Sequence, residues 1–265
     1  MEQFKNYGYI HEERANPNDH ELGGLMGLSY PDVQPDGQWF NFLPYGEQQN
    51  INGVETNSCV SFAALTGLEI LAKKVFDKEV NHSDRYLAIA SDTGPNGNTP
   101  TKVLETLRAV AGCIPENLLP FSEDILSLEQ YMSPKPLNKK YYDEGRRWLA
   151  GYDFKHAWVN TDPDSLMHGL KKSPLIISVV AWQEGADGIY IRPPGVNYNH
   201  ATLLVGYEEG KYWLVFDSYP GTGGAYLKKL DWNFGFGMAK AIKITAIKKE
   251  GFIKRLTRWL ASWFK

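Results

Sequence analysis

The sequence has little cysteine, no long apolar run and no marked excess of charge of either sign. Its two cysteines, Cys59 and Cys113, are too few for a framework of several disulfides, so free thiols in a reducing compartment are the simpler interpretation. The longest strongly apolar run, residues 175–182, is far shorter than the ~20 residues that span a bilayer. The formal net charge of −3 argues against nucleic acid as a partner, since phosphate binding needs clustered Lys and Arg.

The two ends of the chain differ from its centre. Residues 1–56 are rich in Gly, Pro, Asn and Gln and show little periodicity, which predicts an irregular arm without a secretory signal. Residues 251–265 repeat apolar and aromatic side chains at helical spacing, with Lys and Arg elsewhere, which predicts a basic amphipathic helix. Packing of this helix on the same chain or on a protein partner is favoured over binding to a membrane surface.

Between these ends, helical patterns come first and strand patterns second. Apolar spacing from Ser58 onward predicts a helix that is buried on most sides, with Asn57 or Ser58 as its N-cap. Further helical patterns lie at 84–91, 99–113, twice within 123–149, and at 162–172. Strand patterns lie at 175–182, 200–209, 211–219 and 239–247. This order predicts an α+β protein with a helical lobe and a strand-rich lobe.

Three side chains form a candidate nucleophilic site. Cys59 lies at a helix start, where free N–H groups lower a thiol pKa, although a small buried core residue is the alternative. His200 begins an apolar strand and Asp217 ends the next strand of the same predicted hairpin, so the two can meet. Asp217 could then hold one ring nitrogen while the other faces a thiol, although aspartate at a strand end is often only a turn former. Backbone N–H of Cys59 and the amide of Gln48 or Gln49 are candidate oxyanion donors.

Several segments resemble, in order, those of the papain-like cysteine peptidases. NSCVSFAA at 57–64 resembles the segment that carries the family's nucleophile at the head of its central helix. NHATLLVGYEEGKYWLVFDSYPGTGG at 199–224 resembles its histidine hairpin. Other matching segments are GNTPTKVLETLRAVAGCIPENLLPF at 97–121, KKSPLIISVVAW at 171–182 and GIYIRPPGVNYNHA at 188–201. The matches together span about residues 36–245.

The resemblance implies a two-lobe α+β fold with a long central helix, an antiparallel β-rich lobe and an active-site cleft between the lobes. The predicted divisions are an arm at 1–35, a catalytic domain at 36–247 with lobes at about 57–150 and 151–247, and the C-terminal helix at 248–265. Fewer than 60 residues precede Cys59, so no long inhibitory propeptide is expected.

The resemblance also assigns roles to residues. Cys59 is the implied nucleophile, His200 the general base and acid, Asp217 the orienting residue and Gln49 the oxyanion glutamine. Gln49 is preferred to Gln48 because Glu47-Gln48-Gln49 resembles a Glu-x-Gln sequence that variant members, many of them from bacteriophages, have about ten residues before the cysteine. The implied substrate-binding residues are Gly97, Asn98, Trp182, Asn199 and Tyr219, and Tyr219 would also shield the contact between histidine and aspartate.

The sequence departs from the family at three positions. Val60 replaces the usual tryptophan and Asp217 the usual asparagine, and Gly53 stands where the best-known members have the glutamine. An aspartate in place of asparagine would favour a thiolate–imidazolium pair.

The leading hypothesis is a hydrolase of peptide or other amide bonds that acts through a thioester, with a peptide or protein substrate and no metal or cofactor. One alternative is a transglutaminase-like acyl transferase. Another is a catalytically weak or inactive docking protein, such as a virion component, attached by its C-terminal helix. The predicted location is cytoplasmic or virion-associated.

Overall fold

The computed structural model describes residues 5–14 and 30–247. The predicted amphipathic helix at 251–265 and the rest of the N-terminal arm lie outside the described residues. In the part of the chain that is described, no helix is both long and apolar enough to cross a membrane.

The predicted helices are present within these residues. They are α1 (Cys59–Phe76), α2 (Asp84–Ala90), α3 (Pro100–Thr106), α4 (Leu128–Tyr131), α5 (Lys139–Gly151) and α6 (Pro163–Leu170). A π-helical turn, Leu107–Ala111, continues α3 up to Gly112. Ser58 is the N-cap residue of α1, but its hydroxyl donates to the carbonyl oxygen of Thr56 at 3.0 Å instead of capping the helix. By contrast, the Ser83 hydroxyl oxygen caps α2 by accepting from the Tyr86 N–H.

Eight strands of the described chain form one sheet. They are β1 (Tyr152–Val159), β2 (Leu175–Val179), β3 (Gln183–Glu184), β4 (Ile189–Ile191), β5 (His200–Glu208), β6 (Tyr212–Phe216), β7 (Leu227–Asp231) and β8 (Ala239–Ala246). Their order is β1-β8-β2-β5-β6-β7-β4-β3, and neighbours are antiparallel except β4 and β7. Strands β2, β5, β6 and β8 match the predicted patterns, and the antiparallel β5–β6 pair is the predicted hairpin.

The long helix α1 packs across the sheet, mainly on β5 and β8. Its apolar residues, among them Leu65 and Leu68, are buried against the strands because α1 is apolar on nearly all sides. Gly67 allows the close approach, since a Cβ atom there would lie 2.9 Å from the Cδ1 atom of Ile242. This packing brings the first residue of α1, Cys59, against the first residues of β5.

Candidate active site

Cys59 is fully buried at the start of α1. Its Sγ atom lies 3.4 Å from the backbone nitrogen of Ala201, the residue that follows His200 in β5. Burial raises the pKa of the Cys59 thiol, although the N–H groups of Ala201 and Val60 oppose this effect. The prediction of a lowered thiol pKa is therefore wrong for this conformation. The helix start is present, but desolvation outweighs its effect.

His200 and Asp217 meet at the end of the β5–β6 hairpin. Their Nε2 and Oδ1 atoms are 2.6 Å apart, and both side chains are fully buried. Burial alone would raise the pKa of Asp217, but the charges and hydrogen bonds of His200 and Lys228 lower it. The other ring nitrogen of His200, Nδ1, has no hydrogen-bond partner among the described residues. The ring thus has one nitrogen fixed by a carboxylate and one available for proton exchange.

Lys228 is a residue of this site that sequence reasoning missed. Its Nζ atom lies 2.8 Å from Oδ2 of Asp217 and also donates to the carbonyl oxygen of Tyr219. Lys228 lies in β7 opposite Val215 of β6, and its side chain is 2% exposed. One signal was available in the sequence LKKLD, since Lys228 and Leu230 point to the same face of a strand with period two. A buried lysine on that face needs an anionic partner.

Gln49, and not Gln48, contacts the residues around His200. Its Nε2 atom lies 2.6 Å from the hydroxyl of Tyr219, 2.9 Å from Oε1 of Glu55 and 3.1 Å from the carbonyl oxygen of Tyr7. Its Oε1 atom accepts from the Ser218 hydroxyl at 2.7 Å. Gln48 instead lines a cavity of about 360 Å³ together with Glu47, Asp84 and Glu116.

The aromatic residues predicted at the site surround His200. The ring centroids of Trp182 and Tyr219 lie 5.7 and 5.3 Å from that of His200, both at steep angles. The Tyr219 hydroxyl donates to Oε2 of Glu55 at 2.6 Å, a contact that the sequence did not indicate. These rings keep water away from the His200–Asp217 hydrogen bond, which strengthens it.

Residues 5–10 lie in the groove between the lobes and contact both of them. On the strand-rich side, the Tyr7 N–H donates to the Asn199 carbonyl oxygen at 2.9 Å, and the Asn199 side chain donates to the Lys5 carbonyl oxygen at 2.8 Å. On the helical side, the Asn98 N–H donates to the Gly8 carbonyl oxygen, and the Ile10 N–H donates to the Asn98 carbonyl oxygen, both at 3.0 Å. Asn98, Asn199 and Gly97 are predicted substrate-binding residues. All three contact a segment of the same chain.

This segment, residues 5–14, fits the groove because two glycines meet in it. A Cβ atom on Gly97 would lie 1.8 Å from the carbonyl oxygen of Gly8, and a Cβ atom on Gly8 would lie 2.2 Å from the Asn57 carbonyl carbon. The Tyr7 ring lies 5.8 Å from the His200 ring, and burial raises the pKa of Tyr9 to about 12. We call residues 5–14 the groove segment. It covers the end of α1 that carries Cys59, which explains the burial of the thiol.

The role of Asn98 differs between its backbone and its side chain. Its backbone pairs with the groove segment, and Tyr9 and Asn98 form a parallel bridge. Its side chain points away and donates to the Ser91 carbonyl oxygen at 3.0 Å, which fixes the loop. The groove segment is therefore held here by the main chain of Asn98 and not by its amide side chain.

Comparison with known proteins places the chain in a family. A sequence model described as "Papain family cysteine protease" matches residues 48–228, more than half of the chain. The protein therefore belongs to the papain family of cysteine proteases. Macrodontain-1 of Ananas macrodontes is 25% identical over 91 residues, which are 33% of this chain and 41% of the relative. The alignment thus spans less than half the length of that curated relative.

Solved structures share the fold at low sequence identity. The inhibitor complex of the bromelain protease from Ananas comosus has a TM-score of 0.55 at 19% identity, covering 80% of this chain and 98% of that one. Procathepsin L 3 of the Tenebrio molitor larval midgut has a TM-score of 0.56 at 16% identity, covering 85% and 76%. The protease and lectin-like domains of Cwp84 from Clostridium difficile have a TM-score of 0.63 at 15% identity. The match covers 79% of this chain and 51% of that one. The fold is thus the α+β fold of papain-like proteases.

Proposed function

We propose that the protein hydrolyses peptide bonds with Cys59 as nucleophile, His200 as general base and acid, and Asp217 as the residue that orients the ring. One observation carries the proposal. His200 is hydrogen-bonded to Asp217 through Nε2, its Nδ1 atom has no hydrogen-bond partner within residues 5–14 and 30–247, and the backbone nitrogen of the next residue, Ala201, touches the Cys59 sulfur. Membership of the papain family supports this assignment.

In the acylation step, Nδ1 of His200 takes the proton of the Cys59 thiol, and the thiolate attacks the carbonyl carbon of the substrate. The negative charge that develops on the carbonyl oxygen is stabilised by the Cys59 N–H and by the Gln49 amide. The imidazolium then gives its proton to the leaving amine, and the enzyme holds the acyl group as a thioester. Water, deprotonated by His200, attacks the thioester, which releases the acid and regenerates the thiol.

The role of Gln49 follows from its present partner. Its Nε2 atom already lies 3.1 Å from a backbone carbonyl oxygen in the groove, that of Tyr7. A substrate carbonyl that replaces Tyr7 would receive the same donor. We therefore expect Gln49→Ala to lower kcat by about 10²-fold, the usual cost of one oxyanion donor, with a smaller change in KM. Gln48→Ala is the matched control, and an equal loss in both variants would contradict the assignment.

Asp217 is proposed to fix the ring of His200 through its charge and through Lys228. In Asp217→Asn, the side-chain amide of the asparagine has one oxygen and one NH₂ group. One of the two must face the Lys228 ammonium, and the other must face Nε2 of His200. The oxygen is drawn to the ammonium, so the NH₂ group faces Nε2 and favours the wrong tautomer. We expect kcat/KM to fall by about 10²-fold.

A double substitution tests this explanation. Adding Lys228→Met to Asp217→Asn removes the ammonium, so the asparagine oxygen can turn to His200 and about tenfold of the activity is expected to return. Lys228→Met alone serves as the control for loss of the lysine. Full activity of the single Asp217→Asn variant would show that neither the charge nor the tautomer matters.

A mixture of synthetic peptides tests the function as a whole. After incubation with the protein, mass spectrometry identifies new peptide ends, and adding a primary amine shows whether the acyl group passes to an amine instead of water. Hydrolysis that requires His200 supports the peptidase, and amide products support the transglutaminase-like alternative. No products at all would support the docking role, in which residues 251–265, predicted to form an amphipathic helix, bind a protein partner or a membrane surface.

A further inference from the structure

Near its C-terminal end, the groove segment places the carboxylate of Glu12 in a specific pocket. Both oxygens of Glu12 lie near the backbone nitrogen of Thr101, at 3.0 and 3.1 Å, and Oε1 also accepts from the Thr101 hydroxyl at 2.8 Å. The Nζ atom of Lys240 lies 3.5 Å from the same oxygen. We call Thr101 and Lys240 the carboxylate pocket.

The buried lysine makes this pocket selective for an anion. The side chain of Lys240 is 0% exposed, and its ammonium lies 3.7 Å from the centroid of the Trp158 ring. Burying an ammonium is costly unless an anion accompanies it, and the Glu12 carboxylate is an anion within ion-pair distance of this ammonium. A neutral amide in place of the Glu12 carboxylate would accept a hydrogen bond from Thr101 but would lose the ion pair with Lys240.

The pocket lies on the path of the groove. From its N-terminal end, the groove segment places Tyr7 beside His200, pairs Tyr9 with Asn98, and then reaches Thr101 with Glu12. The Glu12 side chain is 12% exposed, so the pocket reaches the surface of the protein. A peptide that lies along the same path therefore passes the pocket within a few residues of the reacting carbonyl.

We propose that the carboxylate pocket is a specificity subsite, which Glu12 fills in the closed form and an acidic side chain of the peptide substrate fills when the groove segment leaves. This proposal rests on the proposed peptidase function. It adds a substrate class to it: peptides with an aspartate or glutamate at one fixed distance from the cleaved bond.

The first test measures binding without catalysis. The full chain with Cys59→Ala and Gly8→Val, in which a valine Cβ would clash with the Asn57 backbone, is titrated with a fluorescent peptide of residues 5–14. We expect a peptide with glutamate at the Glu12 position to bind about tenfold more tightly than one with glutamine. Adding Lys240→Met should reduce this ratio to about one, and Thr101→Val should reduce it in part. Thermal unfolding checks that both variants fold. Equal binding of the two peptides by the parent would overturn the proposal.

The second test concerns substrates. The peptide mixture is cleaved by the full chain with Gly8→Val and with or without Lys240→Met. Enrichment of Asp and Glu at one position, lost with Lys240→Met, is the expected result. Selective binding without such enrichment would show that the pocket serves Glu12 alone and would overturn the substrate claim. Absence of all cleavage would instead refute the proposed peptidase function, and the subsite with it.

Discussion

Replacement of Cys59 by alanine is expected to lower peptide cleavage by at least about 10⁵-fold, because no other group can form the acyl-enzyme. The measurement is kcat/KM for a cleaved peptide in the Gly8→Val background, where we expect the groove to be open. The same variant should also lose labelling by a thiol-reactive peptide probe, since that probe forms its bond with the sulfur. Cys59→Ser keeps the geometry of the site but supplies a far less acidic nucleophile, so it should resemble alanine.

Cys113 provides the matched control for this experiment. It is the other cysteine of the chain and is also buried and free. Burial raises its thiol pKa well above the usual value, so it is an inert core residue. Cys113→Ala is expected to keep cleavage within about twofold of the parent. Cleavage that survives in Cys59→Ala at the parent rate would end the peptidase proposal.

Substitution of Gly8 by valine is expected to raise kcat/KM by about 10³-fold. A side chain at this position meets the Asn57 backbone, and Gly8 has a φ of +101°, which disfavours any residue with a Cβ atom. The groove segment then loses its fit against Gly97 and leaves His200 and Cys59 open. If the groove is vacant in about 0.1% of the parent molecules, full opening gives a gain of this size.

The chemical state of Cys59 gives an independent readout of this opening. Burial raises the thiol pKa in the closed form, so the thiol is neutral at pH 7. Water reaches the sulfur once the segment leaves, so we expect the thiol pKa to fall and the thiolate fraction to rise. Alkylation by iodoacetamide at pH 6–8 should therefore be much faster in Gly8→Val than in the parent, and the pH at which its rate is half-maximal should be lower.

Gly151→Val is the matched glycine control, since a Cβ atom at Gly151 would meet nothing within 4 Å. It should change neither cleavage nor alkylation. If Gly8→Val leaves both rates at the parent values while the protein remains folded, the groove segment does not obstruct the site. Fast alkylation without cleavage would favour the docking protein over the peptidase.

The sequence predicted the helix and strands that are nearly all apolar, whereas it missed strands β1, β3, β4 and β7. Helix α1 and strands β2 and β5 are nearly all apolar, and their patterns could be recognised. Strand β1 was missed because it is the edge strand beside β8, and its solvent-facing residues, such as Asp153 and Lys155, hide the apolar alternation. The short strands β3 and β4 contain too few residues to show a period.

The candidate site was predictable where it depends on spacing along a hairpin, as for His200 and Asp217. It was not predictable where it depends on residues that meet only in the folded chain. Glu55 and Lys228 contact Tyr219 and Asp217, and although the alternation in LKKLD places Lys228 on the same strand face as Leu230, no local pattern connects either residue with its partner. The groove segment gave no signal because backbone hydrogen bonds hold it, and these leave no trace in side-chain periodicity. The sequence predicted an irregular arm at the N-terminal end but did not indicate whether the arm enters the cleft.

The occupant of the groove is part of the same polypeptide as the groove itself. Dilution therefore cannot release it, and the fraction of closed molecules is independent of protein concentration. A competing peptide faces a tethered rival at an effective concentration on the order of millimolar, whatever the amount of protein. Each molecule carries its own groove segment in a fixed one-to-one ratio, so a change in abundance would change the number of open molecules only in proportion and would leave the open fraction as it was.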